Sequence, residues 1–268
     1  MTKKELLDRC ARDPDERILL ARVLDKLEQS ENRGVPGCTQ FLSAGEQALV
    51  TDLLNTWGHP RHLFFGGFED AERRICAFLP DWMEEDDFLT GGEDCPLRAV
   101  EAEFPGGSSL THRDVLGSLM GLSLTREKLG DILFPEPGRC QVVALPEAAA
   151  ILTAQWEGAG RYKCRDLREI PLSDLSPRPP QIKTIRDTVA SPRLDAVLAS
   201  AFSLSRSKAA AHIAGGKVAV NHRECLKSDR QVEEGDVLTC RGLGKCVVKE
   251  VPGQSRKGRT MLVLERYI

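Results

Sequence analysis

Aromatic side chains are scarce in this sequence. Phe, Trp and Tyr make up 5% of the 268 residues and charged residues 29%, so the chain reads as a soluble globular protein with modest cores. No apolar run approaches the roughly 18 residues of a membrane helix, and membrane insertion is not expected. The opening MTKKELLDRCARDPDE has no apolar centre and carries acids early, so it reads as neither a signal nor a transit peptide. Cys-x-x-Cys pairs are absent. The closest of the 9 cysteines, Cys240 and Cys246, lack histidines at zinc spacing. Reduced thiols in a cytoplasmic protein are the expectation, with no metal and no cofactor. The histidines show no metal spacing, and no repeat of solenoid length is visible.

What the chain has instead is charge sorted along its length. The formal net charge is −3, yet residues 178–268 hold 17 Lys and Arg against 9 Asp and Glu, whereas residues 1–177 hold 20 against 31. A basic module on an acidic body points to a localised polyanion site. The length suits two or three domains, each burying its own core.

Residues 3–31 place apolar side chains at helical spacing, with Asp13-Pro14 restarting the helix at a first turn. Ser43 and Glu46 have capping-box spacing for a helix to about Trp57. RHLFFGGFEDAERRICAFLP reads as strand, Gly-Gly turn and strand, completing an N-terminal helix-plus-hairpin α/β domain over 1–90. Glu84-Glu85-Asp86-Asp87, Gly91-Gly92 and Pro96 read as a solvated boundary. Over 95–175 the pattern runs strand (97–104), helix (112–121), strand (131–134), strand (140–145), helix (146–157) and strand (162–169).

That β-α-β-β-α-β order is the split βαβ sandwich of RNA-recognition domains. Such domains stack bases on aromatics of two central strands. Here LRAVEAEF and RCQVVAL offer one aromatic, at an end, so the sheet is expected to be a scaffold or a surface for protein or RNA backbone. Pro171, Pro177, Pro179 and Pro180 make a stiff spacer or edge segment. The basic module, 182–268, follows, with strands near 217–221, 236–241, 245–251 and 260–267 and a hairpin tip at 253–258. The fold class is α+β, in three small domains.

Within the module, RLDAVLASAFSLSRSKAAAHIAGGKVAVN (193–221) predicts helix, helix, strand. Ser191-Pro192 opens the first helix, which buries Leu194, Val197 and Leu198. Ser205 caps the second, whose Ala209, Ala210 and Ile213 pack inward while Lys208 and His212 share the other face. Gly215 or Gly216 ends it in a left-handed turn. Val218 and Val220 then point to the core, and Lys217, Ala219 and Asn221 point out. Arg193, Arg206, Lys208 and Lys217 are expected near one helix N-terminus, where backbone N–H groups favour phosphate. Ser205, His212, Asn221, Arg223, Lys227, Arg230, Arg241 and Lys245 complete the candidate RNA-binding set. No catalytic residue is assigned.

Arg193-Leu194-Asp195, Leu204-Ser205-Arg206, Ile213, Gly216-Lys217-Val218, Val220-Asn221 and Gly235-Asp236 resemble the S-four RNA-binding domain, also called the alpha-L motif. FFGGFEDAERR (64–74) and LTHRDVLGSLMGLSLTREKLGDI (110–132) look like the two signature stretches of the bacterial YlmH family. With the C-terminal module, the resemblance covers nearly the whole chain. It implies an N-terminal α/β domain and a middle RNA-recognition-like domain ahead of the RNA-binding module. It also implies action in ribosome-associated quality control, on a stalled large ribosomal subunit carrying peptidyl-tRNA. There rRNA and tRNA are the partners, and C-terminal tailing of the nascent chain is the process supported. A monomer off the ribosome is expected.

His112-Arg113-Asp114 has the order of a kinase catalytic loop, but Leu119 stands where that loop needs Asn. Thr111 and Asp114 read as a helix start, which leaves His112 and Arg113 as a candidate second contact to RNA or ribosome. Gly242-Leu243-Gly244-Lys245 is not a phosphate-binding loop, because Thr239 occupies the place of its first glycine. The alternative class is an RNA-modifying enzyme, such as a pseudouridine synthase, carrying the same module. Those enzymes keep an R-L-D aspartate in a large catalytic domain. The R-L-D of this chain lies inside the module, where Asp195 reads as helix-start packing.

Overall fold

Polar caps start the helices at the front of the chain. Thr2 accepts from the Glu5 N–H to open α1, Lys3–Cys10, and Asp13 accepts from Glu16 to open α2, Pro14–Arg33. Ser43 and Glu46 close the expected capping box on α3, Ala44–Trp57. These helices bury Leu6, Leu20, Val23, Leu24, Leu27, Val50 and Leu53 against Cys76 and Phe78 of a small sheet. Its strands are β1, Gly37–Cys38, β2, Leu63–Phe65, and β3, Ile75–Phe78, in the antiparallel order β1-β3-β2. The computed structural model describes every residue except Gly107, Arg256 and Lys257.

Two expectations for this region change. The Gly-Gly pair does not turn a tight hairpin, since the whole loop 66–74 separates β2 from β3. Gly66 is there for close approach: a Cβ on it would lie 2.4 Å from the Arg73 carbonyl oxygen. Gly67, at φ +96°, packs on Val143 and Leu175. The acidic stretch also does more than separate domains. Glu84 to Asp87 are exposed, but they lead into α4, Glu85–Leu89, whose Phe88 is buried with Phe41, Phe65, Cys95, Leu97, Val143 and Leu145. A core therefore runs through the expected boundary, and the unit found is Met1–Arg178, followed by a second, Pro179–Ile268.

The rest of the first unit follows the split βαβ pattern. It contains β4, Arg98–Glu103, α5, His112–Gly121, β5, Leu129–Leu133, β6, Arg139–Ala144, and α6, Pro146–Gln155. The expected last strand is divided. Tyr162–Lys163 (β8) pairs with Gly158–Ala159 (β7) as a separate hairpin, and Asp166–Ile170 (β9) joins the sheet. The order β5-β6-β4-β9, antiparallel throughout, is that of the split sandwich.

Val100, Ala102, Cys140, Val142 and Ala144 face the two helices. The opposite face is the one that would stack bases, and the chain covers it with itself. Gln141 donates to Glu101 at 2.8 Å and to the Asp174 carbonyl, and the Ser176 N–H donates back to Gln141. Arg168 reaches the same buried Glu101 at 2.6 Å. Beside these polar groups Val143 packs among Phe41, Phe65, Leu172 and Leu175. Gln141, Glu101 and Val143 of this face are thus taken up by contacts within the chain.

The second unit is a six-stranded antiparallel sheet with two helices on one face. Its elements are β10, Ile182–Val189, α7, Leu194–Phe202, α8, Arg206–Ala214, β11, Val218–Val220, β12, Arg223–Glu224, β13, Val237–Cys240, β14, Gly244–Gln254, and β15, Thr260–Tyr267. The order is β10-β15-β14-β13-β11-β12. No strand is expected at β10, which follows the proline-rich spacer or edge segment; it pairs with β15 along its whole length. The strand β14 runs on to Gln254, so the hairpin tip begins later than expected, and Arg256 and Lys257 of that tip lie outside the described residues. Leu194, Val197, Leu198, Phe202, Ala209 and Ile213 meet Val218, Val220, Leu238, Cys246, Val248 and Leu264 in one core.

Cysteines are distributed through all the cores. Cys76, Cys95, Cys140, Cys225, Cys240 and Cys246 are buried. Burial pushes the Cys38 thiol up to about 12 and the Cys246 thiol up to about 11, and raises those of Cys76, Cys95, Cys140 and Cys240.

Candidate nucleic-acid interface

The helix starts of the second unit differ in what their backbone can offer. Pro192 stands before α7 and not in its first turn, and Arg193 is the residue at the cap. The loop after β12 closes that end: Leu194 N–H donates to the Arg230 carbonyl at 2.8 Å and Asp195 N–H to the Ser228 carbonyl at 3.0 Å. Those N–H groups are spent on the fold. The start of α8 is open. Ser205 accepts from the Lys208 N–H, while the N–H groups of Arg206 and Ser207 have no acceptor among the described residues. An anion reaching this module meets free backbone donors at α8.

Asp195 holds the two helix starts together. Its carboxylate, 10% exposed, receives Arg206 Nη2 at 2.7 Å and Arg193 Nε at 3.3 Å. Burial by itself would raise its pKa; the hydrogen bonds and charges of Arg206 and Arg193 outweigh that and hold it below the ordinary carboxylate value. Each arginine keeps an exposed remainder, Arg206 at 58% and Arg193 at 38%. Sequence reasoning treated Asp195 as packing. Its signal was present, in one arginine two residues before it and another at the cap of the next helix.

The twelve candidate residues do not form one patch. Arg193, Ser205, Arg206 and Lys208 gather at the helix starts. Lys227 and Arg230 join them, because their loop supplies the Ser228 and Arg230 carbonyls to α7. Lys217 and Arg241 meet at the strand ends, where Arg241 N–H donates to the Lys217 carbonyl at 2.8 Å. Lys245 lies on the far face of the sheet, in a row with Thr239 and Ala219, its ammonium 4.3 Å from the centre of the Tyr267 ring. His212 is half-buried, with Nδ1 enclosed and unpartnered.

Asn221 is occupied by the fold. It sits at φ +50°, donates to Asp236 at 2.7 Å and accepts the Val237 N–H at 2.9 Å, tying the tight β11–β12 turn to β13. Arg223 is exposed on the short outer strand β12. In the first unit, Thr111 and Asp114 form the expected capping box of α5. His112 and Arg113 then diverge. Partial burial and the charge of Arg126 lower the His112 pKa, with Asp131 and Glu72 pulling it back up, while Arg113 lies by Asp114.

Two family models match this chain. Residues 93–174 match the "Putative RNA-binding domain in YlmH" and residues 192–238 the S4 domain. A relative from Bacillus subtilis (strain 168), the ribosome-associated protein quality control protein P2, is 32% identical over 255 residues, covering 94% of this chain and 95% of the relative. The chain belongs to the YlmH family. A solved YlmH structure, the cell division protein ylmH from Streptococcus pneumoniae, aligns at 20% identity with a TM-score of 0.49, over 61% of this chain and 96% of that one. In this YlmH-family chain the S-four match begins at Pro192 and ends in β13, so it takes in both helix starts, Asp195 and the loop of Lys227 and Arg230.

Proposed function

We propose that the protein is a non-catalytic RNA-binding factor of the ribosome, holding rRNA and peptidyl-tRNA on stalled large subunits during C-terminal tailing. It works in the cytoplasm and is a monomer off the ribosome. The observation that carries this reading is the open start of α8, where free N–H groups, the pinned Arg206 and the exposed Lys208 lie together beside Arg193. Such a site suits a phosphate backbone and no particular base. The name of the Bacillus subtilis relative supports the ribosomal setting. The engagement of Asp195 by two arginines supports binding over base modification, since a carboxylate so held is a poor nucleophile.

The test is sedimentation of the full chain with large subunits bearing peptidyl-tRNA, across a range of salt. Lys208→Ala is expected to weaken association and to flatten the dependence of log K on log salt by about one unit. Unchanged affinity and slope would move the binding surface elsewhere. Nucleoside mass spectrometry of tRNA and rRNA after incubation is expected to show no new modification.

A further inference from the structure

The two signature stretches of the first unit meet at a point that the RNA-binding reading leaves unused. Glu72 and Arg73, from the loop between β2 and β3, donate their backbone N–H groups to the Asp131 carboxylate at 2.6 and 3.1 Å. The Arg73 guanidinium turns inward and spends its donors on carbonyls: Leu129 at 2.9 Å, Arg126 at 2.8 Å and Phe41 at 3.3 Å. Arg73 and Asp131 thus answer one another in charge.

Arg126 does not take part in that balance. It lies in the 3₁₀ turn Arg126–Lys128, which also accepts the Phe41 N–H through the Glu127 carbonyl at 2.8 Å, so its backbone is fixed. Its side chain is half-buried, and its Nη1 is fully enclosed without an acceptor. Among the described residues it has no hydrogen-bonded or ion-paired side-chain partner. It also lies close enough to Arg73 to depress that group's pKa, after burial. A guanidinium held beside another, with a donor shut away from water and no carboxylate of its own, is short of an anion. His112, exposed on the first turn of α5, is within electrostatic reach of Arg126, as it is of the Asp131 and Glu72 carboxylates.

We propose that the open edge of Arg126, with His112 within electrostatic reach, receives a phosphate of an RNA backbone, giving the first unit a second contact to the RNA held by the S-four module. The inference rests on the RNA-binding reading above. The acidic first unit binds RNA weakly by itself, and the site acts because the S-four module raises the local concentration of phosphate.

The test uses the full chain and labelled tRNA, with log K followed against log salt for Arg126→Gln, His112→Asn and Lys208→Ala. Arg126→Gln is expected to weaken binding roughly threefold to tenfold and to flatten the slope by about one unit. Its thermal midpoint should be retained, because no protein partner is lost. His112→Asn lies on an exposed turn and gives a smaller loss in the same direction. The His112 imidazole, followed by NMR, is expected to gain basicity on adding tRNA. A full slope and affinity in both first-unit variants, with Lys208→Ala still impaired, overturns this site and leaves the S-four reading standing. No effect from any of the three overturns both. A response of His112 to inorganic phosphate, with tRNA binding unchanged in Arg126→Gln, assigns a free anion and likewise overturns the RNA contact.

Discussion

Arg206 and Lys208 are two residues apart in sequence, yet the structure gives them different work. Lys208 projects from an exposed turn, so Lys208→Ala should leave the thermal midpoint where it is. Arg206 also neutralises a carboxylate that is 10% exposed, and Arg206→Ala leaves that carboxylate with Arg193 alone. A loss of about 1–3 kcal/mol in unfolding free energy is expected for it, measurable by denaturant titration. Removing both residues together would therefore mix a binding effect with a folding effect. The pH dependence follows from Asp195. Its pKa is lowered in the folded state, so its contribution is fully present above the unfolded carboxylate value, about 4, and fades as pH falls through the folded value. Asp195→Asn should therefore cost stability at pH 7 and progressively less as the pH is taken below 4. A penalty of equal size at both ends would mean that the ionised form is not what the fold uses.

At the scale of elements, the loop between β2 and β3 is a joint and not a turn. A Cβ on Gly66 would meet the Arg73 carbonyl oxygen and the Ala71 Cβ, each at 2.4 Å. Gly66→Ala is accordingly expected to cost about 1–3 kcal/mol, read as a lowered midpoint of the first unit. Most helices and the strands along the chain were legible where they rest on local signals: the Asp13, Ser43, Thr111 and Ser205 caps, the alternation in KVAVN, and the apolar faces of α2 and α7. What sequence could not show depends on distant partners. One Phe88 inside a run of acids joins a core, Gln141 and Glu101 sit beneath the 172–176 segment, and Asn221 is claimed by Asp236. The candidate cations were found as types, but their sorting between the helix starts and the far face of the sheet depends on strand pairing. Arg126 lies within the 110–132 signature stretch, but nothing in its local sequence sets it apart as a site residue.

Across the whole molecule, charge and cores are divided at the same place. The unit Pro179–Ile268 holds its own core and the basic surplus. Expressed alone, it should unfold cooperatively and bind tRNA with a steep salt dependence, while Met1–Arg178 alone binds far more weakly at the same salt. Equal binding by the two pieces in a gel-shift titration would refute the division. The cysteines give that division a built-in reporter. Each core contains enclosed thiols that ionise reluctantly, Cys76 and Cys140 in the first unit and Cys240 and Cys246 in the second. An alkylating reagent near neutral pH can reach them only when the surrounding core opens, so the pace at which each is labelled clocks the breathing of its own unit. Peptide-resolved labelling of the unmodified protein would then show, without any introduced probe, which half gives way first and whether bound RNA slows the clock in one half or in both.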